Sequence, residues 1–327
     1  MTAPPLAAPL LDVQGLSLSF ATARGVARVL RDVTLAIPRG RIVGVVGESG
    51  SGKSTMASAV MRLLPPNLHA VTGSITLDGT DLLALPPDAM RRMRGRRVAM
   101  VFQDPMTALN PVFRVETQMV DVQRNAFPDR SRRELHARAV EMLRTVGIPA
   151  PEKRIRDYPH QFSGGMRQRI VIAMALLCEP ELLIADEPTT ALDVTIEAQI
   201  LRLFEDLRAG FDGSILFISH SLGVVSSLCD EVVVMYAGTV VESASARDLF
   251  TNPRHPYTRL LLECEIGEGD GRGERLRSIP GGVPDLFDVP DACIFAGRCP
   301  QAHDRCLQGV PALREVAPGH RAACVLA

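Results

Sequence analysis

The sequence predicts an α/β fold built around a phosphate-binding loop, with a small cysteine-rich segment at its C-terminal end. Three observations carry that expectation. From Leu11 to about Phe250, short apolar runs alternate with helix-period segments, the pattern of a mostly parallel sheet covered by helices. One run leads directly into "GESGSGKST" (Gly47 to Thr55), a Gly-rich phosphate loop in the strand-to-helix context it requires. Near residue 250 the composition turns to Pro, Gly and Cys, and so short a remainder cannot bury a core of its own.

The strands are expected at "RIVGVVG" (Arg41 to Gly47), "RVAMVF" (Arg97 to Phe102), "LLIA" (Leu182 to Ala185), "SILFIS" (Ser214 to Ser219) and "EVVVMYAG" (Glu231 to Gly238). Most are continuous apolar runs, as strands covered on both faces should be. Between them "SRRELHARAVEMLRTVG" reads as a helix. Ser131 and Glu134 are spaced as a capping box, Leu135, Val140, Leu143 and Val146 share a face, and Gly147 stops it. "NPRHPYTRLLLECE" (Asn252 to Glu265) reads as a proline-led turn and a short helix, and "GEGDGRGER" (Gly267 to Arg275) as a flexible, charged linker.

Composition narrows the function classes. The 327 residues are 46% hydrophobic and 22% charged with a net charge of -1, which is soluble and globular with no global attraction to nucleic acid or an anionic membrane. The start, "MTAPPLAAPLLDV", lacks a charged segment followed by a long apolar one. The longest apolar runs, such as "IVIAMALLC", fall well short of the roughly 20 residues that span a bilayer. A cytosolic chain with reduced thiols is the expectation.

The loop specifies the chemistry. Its glycines Gly47, Gly50 and Gly52, with Glu48, Ser49 and Ser51 between them, let consecutive N–H groups face phosphate oxygens at a helix N-terminus. Lysine occurs only at Lys53 and Lys153 in a chain rich in arginine, so Lys53 reads as a point charge chosen for the β- and γ-phosphates. Ser54 would ligate Mg²⁺, with Thr55 beside it. "LLIADEP" supplies the partner motif: Asp186 would hold Mg²⁺ through water, and Glu187 would polarise the attacking water. A third stretch, "FSGGMRQRIVIAMAL", places Ser163, Gly164 and Gly165 at the mouth of a second helix, again suited to an anion. Two phosphate-facing helix starts in one chain point to two subunits face to face, each covering the other's γ-phosphate.

Together "GESGSGKST", "FSGGMRQR" and "LLIADEPTTALD" resemble the Walker A, signature and Walker B/D-loop segments of ATP-binding-cassette (ABC) ATPases, and the resemblance covers roughly Leu11 to Phe250. It implies a P-loop NTPase of ABC type: a RecA-like core with an antiparallel β subdomain and a helical subdomain at about 104–165, the cassette ending near 250 and an extension filling 251–327. It also implies roles for single residues. Gln103 in "VFQDP" resembles the Q-loop glutamine, which contacts Mg²⁺ and lies beside a membrane partner's coupling helix. His220 in "FISHS" resembles the switch histidine, Asp193 the D-loop aspartate, and Phe20 the aromatic that stacks on adenine. Phe162 and Met166 depart from the usual Leu and Gln of the signature, in the manner of the D-type ATPases of oligopeptide, dipeptide and nickel importers.

His255-Pro256-Tyr257-Thr258 resembles the C-terminal extension of those same importers; taken as bare residues, a His before Pro is most simply a surface residue. The resemblance implies an ATPase powering import of oligopeptides or dipeptides from the cytoplasmic face of the membrane, with nickel as the other cargo. Its partners would be two transmembrane permeases, a second ATPase of the F-type paralogue and an extracytoplasmic substrate-binding protein. A soluble ABC ATPase outside transport would carry two cassettes or a long coiled-coil insertion, and an exporter would carry fused membrane helices; neither is present.

Seven cysteines remain to be placed. Cys178, in an apolar helix, and Cys229, ending another, read as buried structural residues; Cys264 has no evident role. Cys293, Cys299, Cys306 and Cys324 are separated by 5, 6 and 17 residues, without the tight knuckles of structural zinc. Four thiolates can hold zinc or an iron–sulfur cluster, and Cys299 is followed by proline as one cysteine of bacterial ferredoxins is. The resemblance favours a [4Fe–4S] cluster, as a staple for the tail apart from the ATP chemistry, with zinc or free thiols as alternatives. His320 nearby reads as a surface residue.

Overall fold

A computed structural model of the chain describes residues 8–104, 108–190, 193–266 and 278–327. They form two compact units, Met1–Leu83 with Phe217–Ala327, and Ala84–Leu216.

The first unit opens with two long strands, β1 (Leu11–Thr22) and β2 (Gly25–Ile37), antiparallel to each other. Leu11, Val13, Leu16 and Leu18 of β1 are buried, a side-chain alternation that a register shift after Val13 resets. After β3 (Ile42–Val46) and the helix Lys53–Val60 come β4 (Leu68–Leu77) and β5 (Thr80–Asp81), which complete an antiparallel sheet of order β2-β1-β4-β5.

The second unit begins with the helix Pro87–Met93 and β6 (Val98–Val101), then runs through the helices Val115–Arg124, Arg132–Thr145, Pro151–Arg154 and Gly164–Leu176. The capping box at Ser131 forms as read: Glu134 N–H donates to Ser131 Oγ, and Ser131 N–H donates to Glu134 Oε2 at 2.7 Å. The buried face of that helix is Leu135, Ala139 and Leu143, continued by Val146. Val140 is only half-buried, because a strict four-residue step from Leu135 lands on Ala139. Next come β7 (Leu182–Asp186), parallel to β6, and the helix Val194–Gly210. Cys178 lies just past the end of its helix; its thiol donates to Val122 O at 3.2 Å, and burial pushes its pKa up to about 11.

β8 (Ser214–Ile218) carries the chain back to the first unit. The helix Leu222–Leu228, β9 (Glu231–Tyr236) and β10 (Thr239–Ser245) follow, with β9 parallel to β3 and antiparallel to β10. Ala237 and Gly238, both at positive φ, make the tight turn between them in the hand that suits a two-residue hairpin. Cys229 is buried at the end of its helix.

After the helices Ala246–Thr251 and Pro256–Ile266 the expected linker at 267–275 lies outside the described residues. Two further strands follow, β11 (Arg314–Ala317) and β12 (His320–Ala322), where the sequence analysis assigns no element. β12 pairs with β10 through Glu242↔Ala322 and Ser243↔Arg321, giving the order β11-β12-β10-β9-β3. The sheet is thus less parallel than expected. The tail obtains its core by borrowing: Phe295, 1% exposed, meets Tyr236 and Tyr257 edge-on at centroid distances of 5.1 and 5.4 Å. Burying such a ring contributes about 1.5–3 kcal/mol, with roughly 0.5–1.5 kcal/mol more per aromatic pair.

Two surface assignments are corrected here. His255 and His320 are buried, 2% and 3% exposed. The fully buried carboxylate of Glu242 gathers them: it accepts from Arg254 N–H at 2.6 Å and His255 N–H at 2.9 Å, and bonds His320 Nε2 at 2.7 Å. A carboxylate without water needs partners of this kind, and these tie β12, β10 and the turn before Pro256 into one network.

Candidate nucleotide site

The phosphate loop and His220 belong to the first unit; Gln103, Ser163 to Gly165, Asp186, Glu187 and Asp193 belong to the second.

β3 is buried along its whole length and delivers the chain into the loop. Gly47 has φ +150°, and a Cβ there would stand 2.1 Å from Met235 O, so only glycine fits. Gly52, left-handed at φ 97°, precedes the helix Lys53–Val60. Lys53, 4% exposed, donates from Nζ to Gly47 O at 2.7 Å and to Glu48 O at 3.1 Å, which curls the loop over its own ammonium. Ser51 Oγ is buried with no hydrogen-bond partner among the described residues. A buried hydroxyl and a buried ammonium in one loop, at a helix N-terminus, fit an anion's oxygens. Ser49, Gly50 and Ser54 are exposed and Thr55 half-buried.

Phe20 pairs in register with Ala27 of β2 and Leu68 of β4 and is half-buried, so its ring is not core. His220 is exposed at the end of β8. After it, Ser221 caps the helix Leu222–Leu228 by accepting from Val224 N–H at 3.4 Å.

In the second unit, Gln103 and Glu187 meet directly: Gln103 Nε2 donates to Glu187 Oε2 at 2.8 Å. Thr190 Oγ1 donates to the same oxygen at 3.0 Å. Sequence reading named both Gln103 and Glu187 but not their contact, and it missed Thr190, whose signal was only its place three residues on. Glu187 has φ +47°, a left-handed backbone that costs a non-glycine residue about 1–3 kcal/mol and is held at functional positions by its surroundings. Asp186, at the end of β7, is 5% exposed. Ser54 in the first unit and Asp186 in the second each carry a hard oxygen of the kind Mg²⁺ takes.

The signature helix starts at Gly164 with Ser163 as its cap, accepting from Met166 N–H at 3.4 Å. The two glycines differ. A Cβ on Gly164 would meet nothing, whereas one on Gly165 would stand 2.5 Å from Ile196 Cγ2. Gly165 serves helix packing, and Gly164 is the open position. Phe162 is buried under the Arg154 guanidinium, 4.5 Å from the ring centre. Asp193 caps the helix Val194–Gly210 by accepting from Ile196 N–H at 2.9 Å.

The tail reaches the phosphate loop, which no spacing rule could show. Arg298 Nη1 donates to Glu48 Oε2 at 2.7 Å and Nη2 to Oε1 at 3.2 Å, across 250 residues of chain. Glu48 N–H donates to Tyr257 Oη at 2.9 Å.

The four tail cysteines are free thiols. Cys293 N–H donates to Cys306 O at 2.9 Å. Burial, and then the neighbouring charges of Cys306, Cys324 and Cys299, raise the Cys293 thiol; burial chiefly, with Cys324 and Cys306, raises that of Cys299. The four thus share a neighbourhood, yet among the described residues no group of three or more His, Cys, Asp or Glu side chains is arranged to hold a metal ion. The expected cluster finds donor chemistry but no coordination shell. Among the described residues no helix is long and apolar enough to cross a membrane.

Comparison with known proteins agrees with this geometry. Residues 30–190 match the ABC transporter family, and residues 241–306 match the oligopeptide/dipeptide transporter C-terminal region. A protein of Sinorhizobium fredii named as a probable peptide ABC transporter ATP-binding protein is 50% identical over 99% of this chain and 97% of its own. An oligopeptide transport ATP-binding protein of Escherichia coli is 45% identical over 96% of this chain and 92% of its own. A dimeric bacterial ABC transporter cassette superposes with a TM-score of 0.64 at 26% identity, covering 72% of this chain and 99% of that one. A dimeric cassette in a post-hydrolysis state with ADP and Pi gives a TM-score of 0.63 at 25% identity, covering the same 72% and 99%. The fold is the ABC cassette, and the chain belongs to the ABC transporter family as an ATP-hydrolysing, ATP-binding subunit of the branch that carries the oligopeptide/dipeptide C-terminal region.

Proposed function

We propose that this chain powers the import of peptides, from dipeptides to oligopeptides, as the ATPase subunit on the cytoplasmic face of the cell membrane. The observation that carries the reading is the oligopeptide/dipeptide C-terminal region at 241–306 in the same chain as a complete set of cassette motifs. The cassette occupies residues 1–250 with a helical subdomain at about 104–165, and the extension 251–327.

The residues divide the work as follows. Lys53 and the amides of Gly47 to Thr55 hold and neutralise the β- and γ-phosphates, and Phe20 stacks on adenine. Ser54, Gln103 and Asp186 hold Mg²⁺, which neutralises developing charge on the phosphates when bound. Glu187 takes the proton of the attacking water, its carboxylate oriented by the two donors to Oε2. His220 senses the γ-phosphate, while Ser163, Gly164, Gly165 and Asp193 act across a face-to-face pair. The pair forms with an F-type paralogue, on two permeases fed by an extracytoplasmic binding protein. Hydrolysis resets the closed pair.

Two experiments test this. Co-expressed with the permeases encoded beside it, the chain should purify with them, and peptides should stimulate its ATPase through the binding protein; capture of neither permease rejects the importer reading. In that complex Glu187→Gln should lower turnover by about 10²–10⁴-fold, the usual contribution of a general base, and near-normal turnover removes Glu187 from the role.

For the tail, we propose that Cys293, Cys299, Cys306 and Cys324 are the ligands of a [4Fe–4S] cluster, a reading supported by their being four free thiols and requiring them to draw together, since among the described residues no group is already arranged to hold a metal ion. Anaerobic purification should give a brown protein with stoichiometric iron and sulfide. Colourless protein with one zinc per chain assigns the site to zinc instead.

A further inference from the structure

We propose that Arg298 is a positioning residue for ATP binding: through Glu48 it holds the phosphate loop in its binding shape, so the cysteine-rich tail is part of the nucleotide site. The proposal rests on ATP binding alone and not on the transported solute.

The argument starts at Glu48, the second residue of the loop. Every polar group of this residue is engaged. Its N–H donates to Tyr257 Oη at 2.9 Å, its carbonyl accepts from Lys53 Nζ and Ser51 N–H at 3.1 Å each, and its carboxylate takes both ends of the Arg298 fork. Two of these holds come from beyond residue 250. They act on the same residue whose carbonyl anchors the phosphate-binding lysine.

Arg298 is itself fixed. Nε donates to Pro280 O at 2.8 Å, Nη2 to Ile279 O at 3.1 Å and Nη1 to Tyr236 Oη at 3.2 Å. Its side chain is 9% exposed and that of Glu48 22%. An exposed ion pair contributes little, but a sheltered two-pronged one between planar groups is stronger and sets geometry. A second contact lies at the start of β2: Arg24 pairs with Asp285 at 2.9 Å and covers the Phe287 ring at 4.5 Å, and Arg28 N–H donates to Leu286 O at 2.9 Å. The tail therefore touches β2 and the phosphate loop together.

Two effects follow from losing the guanidinium. The loop must then be ordered when ATP binds, which weakens affinity. The Glu48 carboxylate also loses its countercharge beside an incoming triphosphate. Both act on binding and neither on the reacting atoms.

The test is titration of the purified full-length chain with a fluorescent ATP analogue and Mg²⁺, with melting followed in parallel. Arg298→Met should raise the Kd roughly tenfold, and Arg298→Lys, which keeps charge without the fork, should fall between. Glu48→Gln combined with Arg298→Met should be no weaker than Arg298→Met alone, because the uncompensated carboxylate is gone. Arg314→Ala, which removes donations to Cys324 O and Ala327 O and touches neither Glu48 nor Arg298, should bind ATP like the unmutated chain. In the assembled transporter, Arg298→Met should raise KM for ATP and leave kcat at saturating ATP. An unchanged Kd overturns the proposal, as do additive losses in the double variant or a fall confined to kcat. If Arg298→Met does not fold, Arg298→Lys and Glu48→Gln decide the matter, and unchanged affinity in both overturns it.

Discussion

At His255 the imidazole Nδ1 accepts a hydrogen bond from Tyr257 N–H at 3.0 Å, an arrangement open only to the neutral ring. Burial lowers its pKa from the ordinary 6.5 to about 4. Between those values the unfolded chain binds a proton that the folded chain excludes, so stability is full above pH 6.5 and declines as pH falls toward 4. The slope approaches about 1.4 kcal/mol per pH unit at most. Thermal melting should show that decline, and His255→Asn, whatever its overall cost, should flatten it. The signature glycines give a second residue-scale outcome. Gly165→Ala should destabilise the fold by about 1–3 kcal/mol in denaturant titration, because its methyl meets Ile196, whereas Gly164→Ala should leave stability unchanged. The motif was legible in the sequence as two adjacent glycines. Which one serves packing was not, because Ile196 is brought there only by the fold.

Among the elements, Glu242 does for β10 what no side-chain pattern announces. Its buried carboxylate joins the backbone at Arg254 and His255 to His320 on β12. Glu242→Leu leaves those donors unpaired and should cost about 3–5 kcal/mol, read from the denaturation midpoint. Elements with long apolar runs were legible: the five strands read from the sequence all form, and the capping box at Ser131 marks its helix start. β11 and β12 were not. Strands of four and three residues are too short for period-two alternation to show, and they exist because β10 offers an edge. The same edge explains why His320 is buried although its neighbours in sequence look like surface.

For the whole molecule, the order of motifs along the chain was enough to place ATP chemistry in it, since each motif is local and its spacing follows from backbone geometry. The contact of tail and phosphate loop was hidden, because Arg298 and Glu48 are separated by 250 residues and neither carries a local signature of the other. That separation has a consequence for synthesis. A ribosome delivers Glu48 250 residues before Arg298, so the phosphate loop exists without its clamp while that stretch is made. A released chain truncated before residue 279 should accordingly bind the ATP analogue more weakly than one that carries Arg298, by at least the factor measured for Arg298→Met. Synthesis of the segment that carries Arg298 then acts as a checkpoint, withholding full ATP affinity until the clamp can close on Glu48.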